Sequence, residues 1–150
     1  MAAPRRARSR KRSALDVQTL LSREMSDSEI TAPRVLVADD EDAIRALVAQ
    51  MLRRSGFRPI EANDGRQAIE ALDSSDFDAV VLDLMMPRVD GFGVIDHLIE
   101  HHPRMVEKTV VMTAFPQAAA RERLHHLCCI VSKPFDIEEL VTLVRECASR

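Results

Sequence analysis

Five polar side chains follow short apolar runs in this chain. Asp39 and Asp40 come after VLVA (35–38), Asp83 after AVVL (79–82), Thr113 after TVVM (109–112), and Lys133 one residue past IVS (130–132). If those runs are neighbouring strands, three carboxylates, one hydroxyl and one ammonium gather at one end of a sheet. Carboxylates so placed repel one another unless protons or a cation neutralise them. Hard oxygen donors with no histidine or cysteine among them favour Mg²⁺ over zinc. An ammonium and a hydroxyl beside such an ion supply the charge and the hydrogen bond that a phosphoryl group needs. Asp83 is then the candidate nucleophile, because carboxylates form acyl phosphates.

The elements that must position these groups are read from periodicity. The β-branched runs above, with a weaker RPIEA at 58–62, suit strands buried on both faces. Between them apolar residues recur at helical spacing: Ile44, Leu47, Val48, Met51 and Leu52, closed by Gly56; Ala68, Ile69 and Leu72; Val94, Ile95, Leu98 and Ile99. A shorter helix is expected near 117–127. A last one carries Ile137, Leu140, Val141 and Val144, with Asp136 and Glu139 at capping-box spacing. Five strand–helix units in succession predict an α/β fold, a doubly wound five-stranded parallel sheet with five helices. In such sheets the ligand site lies outside the carboxyl ends of the strands, where the five polar residues fall.

A length of 150 residues leaves room for one ordinary domain, and the charge divides unevenly along it. Residues 1–33 hold seven basic side chains against four acidic ones, leaving 14 basic and 20 acidic residues in 34–150. Residues 1–32 lack an apolar period and read as a basic, mostly disordered extension ahead of a domain spanning 33–150. Met25 offers an alternative start, which would make residues 1–24 an artefact. Nothing approaches the roughly 18–20 consecutive apolar residues of a membrane span, and no apolar core of a secretory signal is present, so a cytoplasmic protein is expected. Three cysteines, two of them the neighbours Cys128 and Cys129, favour reduced thiols.

The motifs DDED (39–42), VVLDLMMPRVDG (80–91), VVMTA (110–114) and SKPF (132–135), in this order, resemble the receiver domain of bacterial two-component response regulators. The resemblance covers nearly all of 34–150. It implies a flavodoxin-like sheet of order 2-1-3-4-5. It also implies roles: Asp83 as phosphoacceptor, Asp39 and Asp40 as the acidic pair holding Mg²⁺, and Met85 as the residue whose carbonyl ligates the metal. Thr113 matches the switch hydroxyl, Ala114 the small residue whose amide contacts the phosphoryl group, and Lys133 the lysine that pairs with its oxygens. Pro134 matches a proline preceded by a cis bond, and Pro87 and Gly91 fit the loop after the phosphorylation site. The phosphodonor would be a sensor histidine kinase or phosphotransfer protein, so the domain modifies itself and is not an enzyme in the usual sense. A dehalogenase-like phosphatase would need a second aspartate where Met85 stands.

Two departures bear on output. Receivers carry Tyr or Phe three residues before the lysine, where this chain has Ile130. The segment FPQAAARERLHHLCCIV (115–131) lacks the usual Gly-Ala turn and is a residue or two short. Phe115 and Met85 are expected to shield an acyl phosphate from water. Because the sequence stops after the last helix, a stand-alone regulator is expected, signalling to an unknown downstream protein without direct DNA binding. The alternative is a docking module or phosphate sink with little switching. His97 and His101, four apart on one helix, and the group His125, His126, Cys128 and Cys129 offer zinc-type ligands without a clean four-ligand spacing, so packing or exposure is expected of them.

Overall fold

The apolar runs alternate between two destinations because successive side chains of a strand point to opposite faces. In a computed structural model, which describes residues 27–114, 124, 126, 127 and 129–150, they form β1 (Arg34–Ala38), β2 (Arg58–Ala62), β3 (Ala79–Asp83), β4 (Thr109–Thr113) and β5 (Cys129–Ser132). Every pairing is parallel and the order is β2-β1-β3-β4-β5, the flavodoxin-like arrangement. Strands β3 and β4 are buried at every residue. Edge strand β2 accommodates Pro59, which lacks the amide a central strand would need.

The chain divides into two units, Met1–Thr31 and Ala32–Arg150. Within the first, one short helix is described, α1 (Asp27–Thr31). In the second, α2 (Asp42–Arg54) and α6 (Ile137–Ala148) cover one face of the sheet. Val48, Leu52, Leu140 and Val144 meet Val35, Val37, Val81, Val110 and Met112 there. The other face is covered by α3 (Gly65–Ser74) and α4 (Gly91–His101), whose Ala68, Leu72, Val94, Ile95 and Leu98 meet Leu36, Ala38, Val80, Leu82 and Val111. Each such Val or Leu contributes about 1.5–3 kcal/mol by leaving water. Gly56 closes α2 with φ 88, a conformation that costs glycine nothing. Asp136 caps α6 by accepting from the amides of Glu138 and Glu139, as its spacing foretold.

Three features depart from the sequence reading or fall beyond it. A single turn, α5 (Pro103–Val106), follows α4 and begins on a proline, whose missing amide would be unsatisfied at that position anyway. Of the helix expected near 117–127, only Leu124, His126 and Leu127 are among the described residues; Leu124 is buried in the core under α3 and α4. Reduced thiols were expected, yet Cys147, fully buried on α6, is disulfide-bonded, while Cys129 is free. The poor geometry of adjacent cysteines argues only against a bond between Cys128 and Cys129. No helix among the described residues is long and apolar enough to cross a membrane.

Candidate functional site

The strand order reverses between β1 and β3, and the crevice beyond their carboxyl ends is where the polar residues converge. Asp39 follows β1 directly and is fully buried. Its backbone is fixed from both sides: the amide donates to the carbonyl of Ala62 (3.2 Å), and the carbonyl accepts from Arg45 Nη1 (2.9 Å). Its Oδ1 accepts from the amide of Glu41 (2.9 Å), which leaves Oδ2 facing Lys133 Nζ at 3.1 Å. Asp83 ends β3, also buried; its Oδ1 accepts from the amide of Met85 (3.1 Å) and its Oδ2 lies 3.3 Å from Lys133 Nζ. One ammonium thus bridges two buried carboxylates. Asp40 is exposed, and oxygens of Asp39, Asp40 and Asp83 all lie within 4.8 Å of one another.

The remaining groups come from the far strands. Thr113 is buried at the end of β4, in register with Ser132 of β5, and Ala114 next to it is exposed. The amide of Lys133 donates to the Thr113 carbonyl (2.8 Å), which extends the β4–β5 pairing by one bond and holds the lysine beside the hydroxyl-bearing strand end. The Lys133–Pro134 bond is cis, as the resemblance implied.

Charge in this crevice is unbalanced. Burial, reinforced by the charge of Asp39, pushes the Asp83 carboxyl up to about 6, against the opposing pull of the Met85 amide and Lys133. Burial alone would lower Lys133, but the charges and hydrogen bonds of Asp39 and Asp83 outweigh it and hold the amine above its ordinary value. The lysine therefore stays charged at neutral pH, and three carboxylates face one ammonium. The donor set is all oxygen and carries a surplus of negative charge, which fits Mg²⁺.

The loop from β3 to α4 wraps this crevice, and two glycines let it close. A Cβ on Gly91 would lie 2.5 Å from both the Asp83 carbonyl oxygen and Leu84 Cα, and one on Gly65 would strike the Val89 carbonyl. The Gly91 amide instead donates to the Leu84 carbonyl at 2.9 Å. Asp64 ties the loop to α3: its Oδ1 caps that helix through the amide of Gln67 (2.8 Å), and its Oδ2 accepts from Arg88 Nη1 (2.9 Å). Arg88 has φ 68. Sequence reasoning missed this tie. The Asp64-x-x-Gln67 spacing is a capping-box signal by which the aspartate could have been found, whereas nothing in the sequence points to its partner Arg88, 24 residues away.

Other candidates scatter. Phe115, His125 and Cys128 lie outside the described residues. Met85 is 59% exposed, and Ile130 is partly buried against the core under α3 and α4. The rings of His97 and His101 lie 4.5 Å apart, tilted by 43°, but His97 shares its hydrogen-bond partner, Asp73, with His102.

Residues 35–145 match the family model described as the response regulator receiver domain. The chain is similar to the transcriptional regulatory protein PdtaR of Mycobacterium tuberculosis, 36% identical over 129 residues, covering 83% of this chain and 62% of PdtaR. It is similar also to the transcriptional regulatory protein TcrA of the same organism, 34% identical over 125 residues, covering 81% of this chain and 48% of TcrA. The chain therefore spans less than two thirds of these relatives. Among solved structures, the receiver domain of the Francisella response regulator 1452 superposes with a TM-score of 0.72 at 28% identity, covering 79% of this chain and 98% of that one. The response regulator TrrA of Thermotoga maritima, in complex with Mg²⁺-BeF, superposes with a TM-score of 0.70 at 28% identity, covering 77% of this chain and 98% of that one.

Proposed function

This chain belongs to the response regulator receiver domain family, and from that premise we propose that Asp83 accepts a phosphoryl group from a phosphohistidine in a Mg²⁺-dependent reaction. The observation that carries the proposal is the pair of buried carboxylates, Asp39 and Asp83, bridged by Lys133 Nζ at 3.1 and 3.3 Å beside exposed Asp40. With its carboxyl near 6, Asp83 is mostly ionised at neutral pH, yet more basic than an ordinary aspartate and so a better nucleophile. A carboxylate oxygen attacks phosphorus as the bond to the donor imidazole nitrogen breaks. Lys133 then exchanges its contact with Asp83 Oδ2 for a phosphoryl oxygen, Thr113 offers a hydroxyl, and the exposed Ala114 offers its amide. Asp39, Asp40, Asp83 and the Met85 carbonyl would hold Mg²⁺, which when bound neutralises the excess carboxylate charge and that of the phosphoryl oxygens.

The chemistry is confined to the chain's own aspartate, its phosphorylation and dephosphorylation. The donor is a sensor histidine kinase or phosphotransfer protein in the cytoplasm, and the signal passes to a downstream protein by contact. The acidic balance of 34–150, 20 acidic against 14 basic residues, supports a protein target over DNA, whose phosphates such a surface repels. A second reading, a docking module or phosphate sink, is favoured by one observation: the half-buried Ile130 packs on the core where an aromatic rotor would report the state of Thr113.

Acetyl phosphate with Mg²⁺ tests the chemistry. One phosphoryl group should add to the wild type but not to Asp83→Asn, and none in excess EDTA; no addition to the wild type ends the proposal. Amide exchange over β4 and β5 that is identical before and after phosphorylation would select the second reading. Salt-sensitive binding of duplex DNA by residues 34–150 would overturn the protein-contact output.

A further inference from the structure

We propose that Asp73, His97 and His102 form a second metal site, for a borderline divalent cation of the zinc class, at the end of the sheet opposite the acidic crevice. Asp73 stands in the last turn of α3, His97 inside α4, and His102 is the residue that ends α4, with φ −135 and ψ 55. Helices in this fold run back from the carboxyl ends of the strands, so the last turns of α3 and α4 meet far from Asp83.

The geometry is convergent. His97 Nε2 lies 2.7 Å and His102 Nε2 2.8 Å from the same oxygen, Asp73 Oδ1. A carboxylate oxygen accepts only, so both rings face it with Nε2–H. A cation replaces those two hydrogens. Zinc binds imidazole nitrogen at about 2.0–2.1 Å, which in a tetrahedral set places ligand atoms roughly 3.3 Å apart. Each nitrogen needs to move away from Asp73 Oδ1 by only about half an ångström, within reach of side-chain rotation. On metallation a neutral ring carries its proton on Nδ1 in place of Nε2, and a protonated ring releases one proton.

The surroundings suit a cation. The side chains of His97 and His102 are 18% and 28% exposed and that of Asp73 is 50% exposed, so the ligands are partly desolvated while one side stays open to water, as a three-ligand zinc site requires. The carbonyl end of the α4 dipole adds partial negative charge. A cleft of about 360 Å³, lined by Asp76, His101, His102, Pro103, Arg104 and Met105, borders the group on the side of His102, the one of the three ligands that lines it. Two imidazoles in the set select zinc-class ions over Mg²⁺, the reverse of the all-oxygen crevice. His101, whose Nε2 lies 3.7 Å from Glu100, is a neighbour and not a ligand. The residue five positions after His97 ligates, and the one four positions after it does not, because His102 has left the helix.

The test is titration of the full chain with ZnCl₂ in excess Mg²⁺, by calorimetry and by the visible absorption of Co²⁺ as a spectroscopic substitute. One site should be lost or weakened by roughly tenfold or more in His97→Gln and in His102→Gln, and weakened in Asp73→Asn, while His101→Gln keeps it. Urea melts without metal establish that the variants fold. Zinc affinity unchanged in the folded double variant His97→Gln, His102→Gln, or a Co²⁺ spectrum that persists in it, overturns the site. So does equal competition by Mg²⁺.

Discussion

Asp83 should make the metal-free protein less stable than it would be without that charge. Its carboxyl is raised from an ordinary 3.8 to about 6, chiefly by burial, and that value already includes the help of Lys133 and the Met85 amide. A carboxyl raised on folding contributes stability that is fully present below 3.8, where both states are protonated, and lost as pH rises through about 6. Above that, keeping Asp83 ionised in the folded state costs about 3 kcal/mol, from roughly 1.4 kcal/mol per pH unit of displacement. Asp83→Asn removes the charge and keeps an oxygen to accept from Met85. We therefore expect the variant to be more stable than wild type by up to about 3 kcal/mol near pH 8 in EDTA, measured by urea unfolding with a common slope. The gap should shrink as pH falls through about 6 and close near 4. Mg²⁺ should narrow it at neutral pH as well, because the wild type gains from a ligand that the variant binds less well. An Asp83→Asn protein no more stable than wild type near pH 8 without metal would refute this account of the crevice.

Two further outcomes follow from the same site. Lys133→Met leaves Asp39 and Asp83 buried without their shared counter-charge and should cost about 3 kcal/mol at neutral pH, with part of the loss recovered in the double variant with Asp83→Asn; additive effects in that cycle would contradict the bridge. Gly91→Ala places a methyl 2.5 Å from the backbone of Asp83 and Leu84, and should cost about 3 kcal/mol and weaken Mg²⁺ binding; wild-type values for both would show that the loop yields freely.

Much of this molecule is written in local pattern. Runs such as VLVA and AVVL are apolar at every position and half valine, which suits a strand buried on both faces, and β1 and β3 lie where they do for that reason. Asp39, Asp83, Thr113 and Lys133 were legible because a parallel sheet sends every residue just past a strand to the same end. The sequence by itself therefore determined the fold class, the strand order through the resemblance its motifs carry, and the end of the sheet at which Asp39, Asp83 and Lys133 meet.

Tertiary structure decided what depends on distance between remote segments. That Lys133 bridges Asp39 and Asp83, 94 and 50 residues away, and that burial then lifts Asp83 to about 6, follows from packing that no local window contains. The tie between Arg88 and Asp64 is of the same kind. The histidines show the limit most plainly. Helical spacing put His97 and His101 four apart on one face, with packing or exposure expected of both, but α4 ends at His101, the chain turns at His102, and Asp73 arrives from another helix to receive His97 and His102 together. Periodicity describes residues that stay on one element; where an element ends and what packs against its end are set by the whole core.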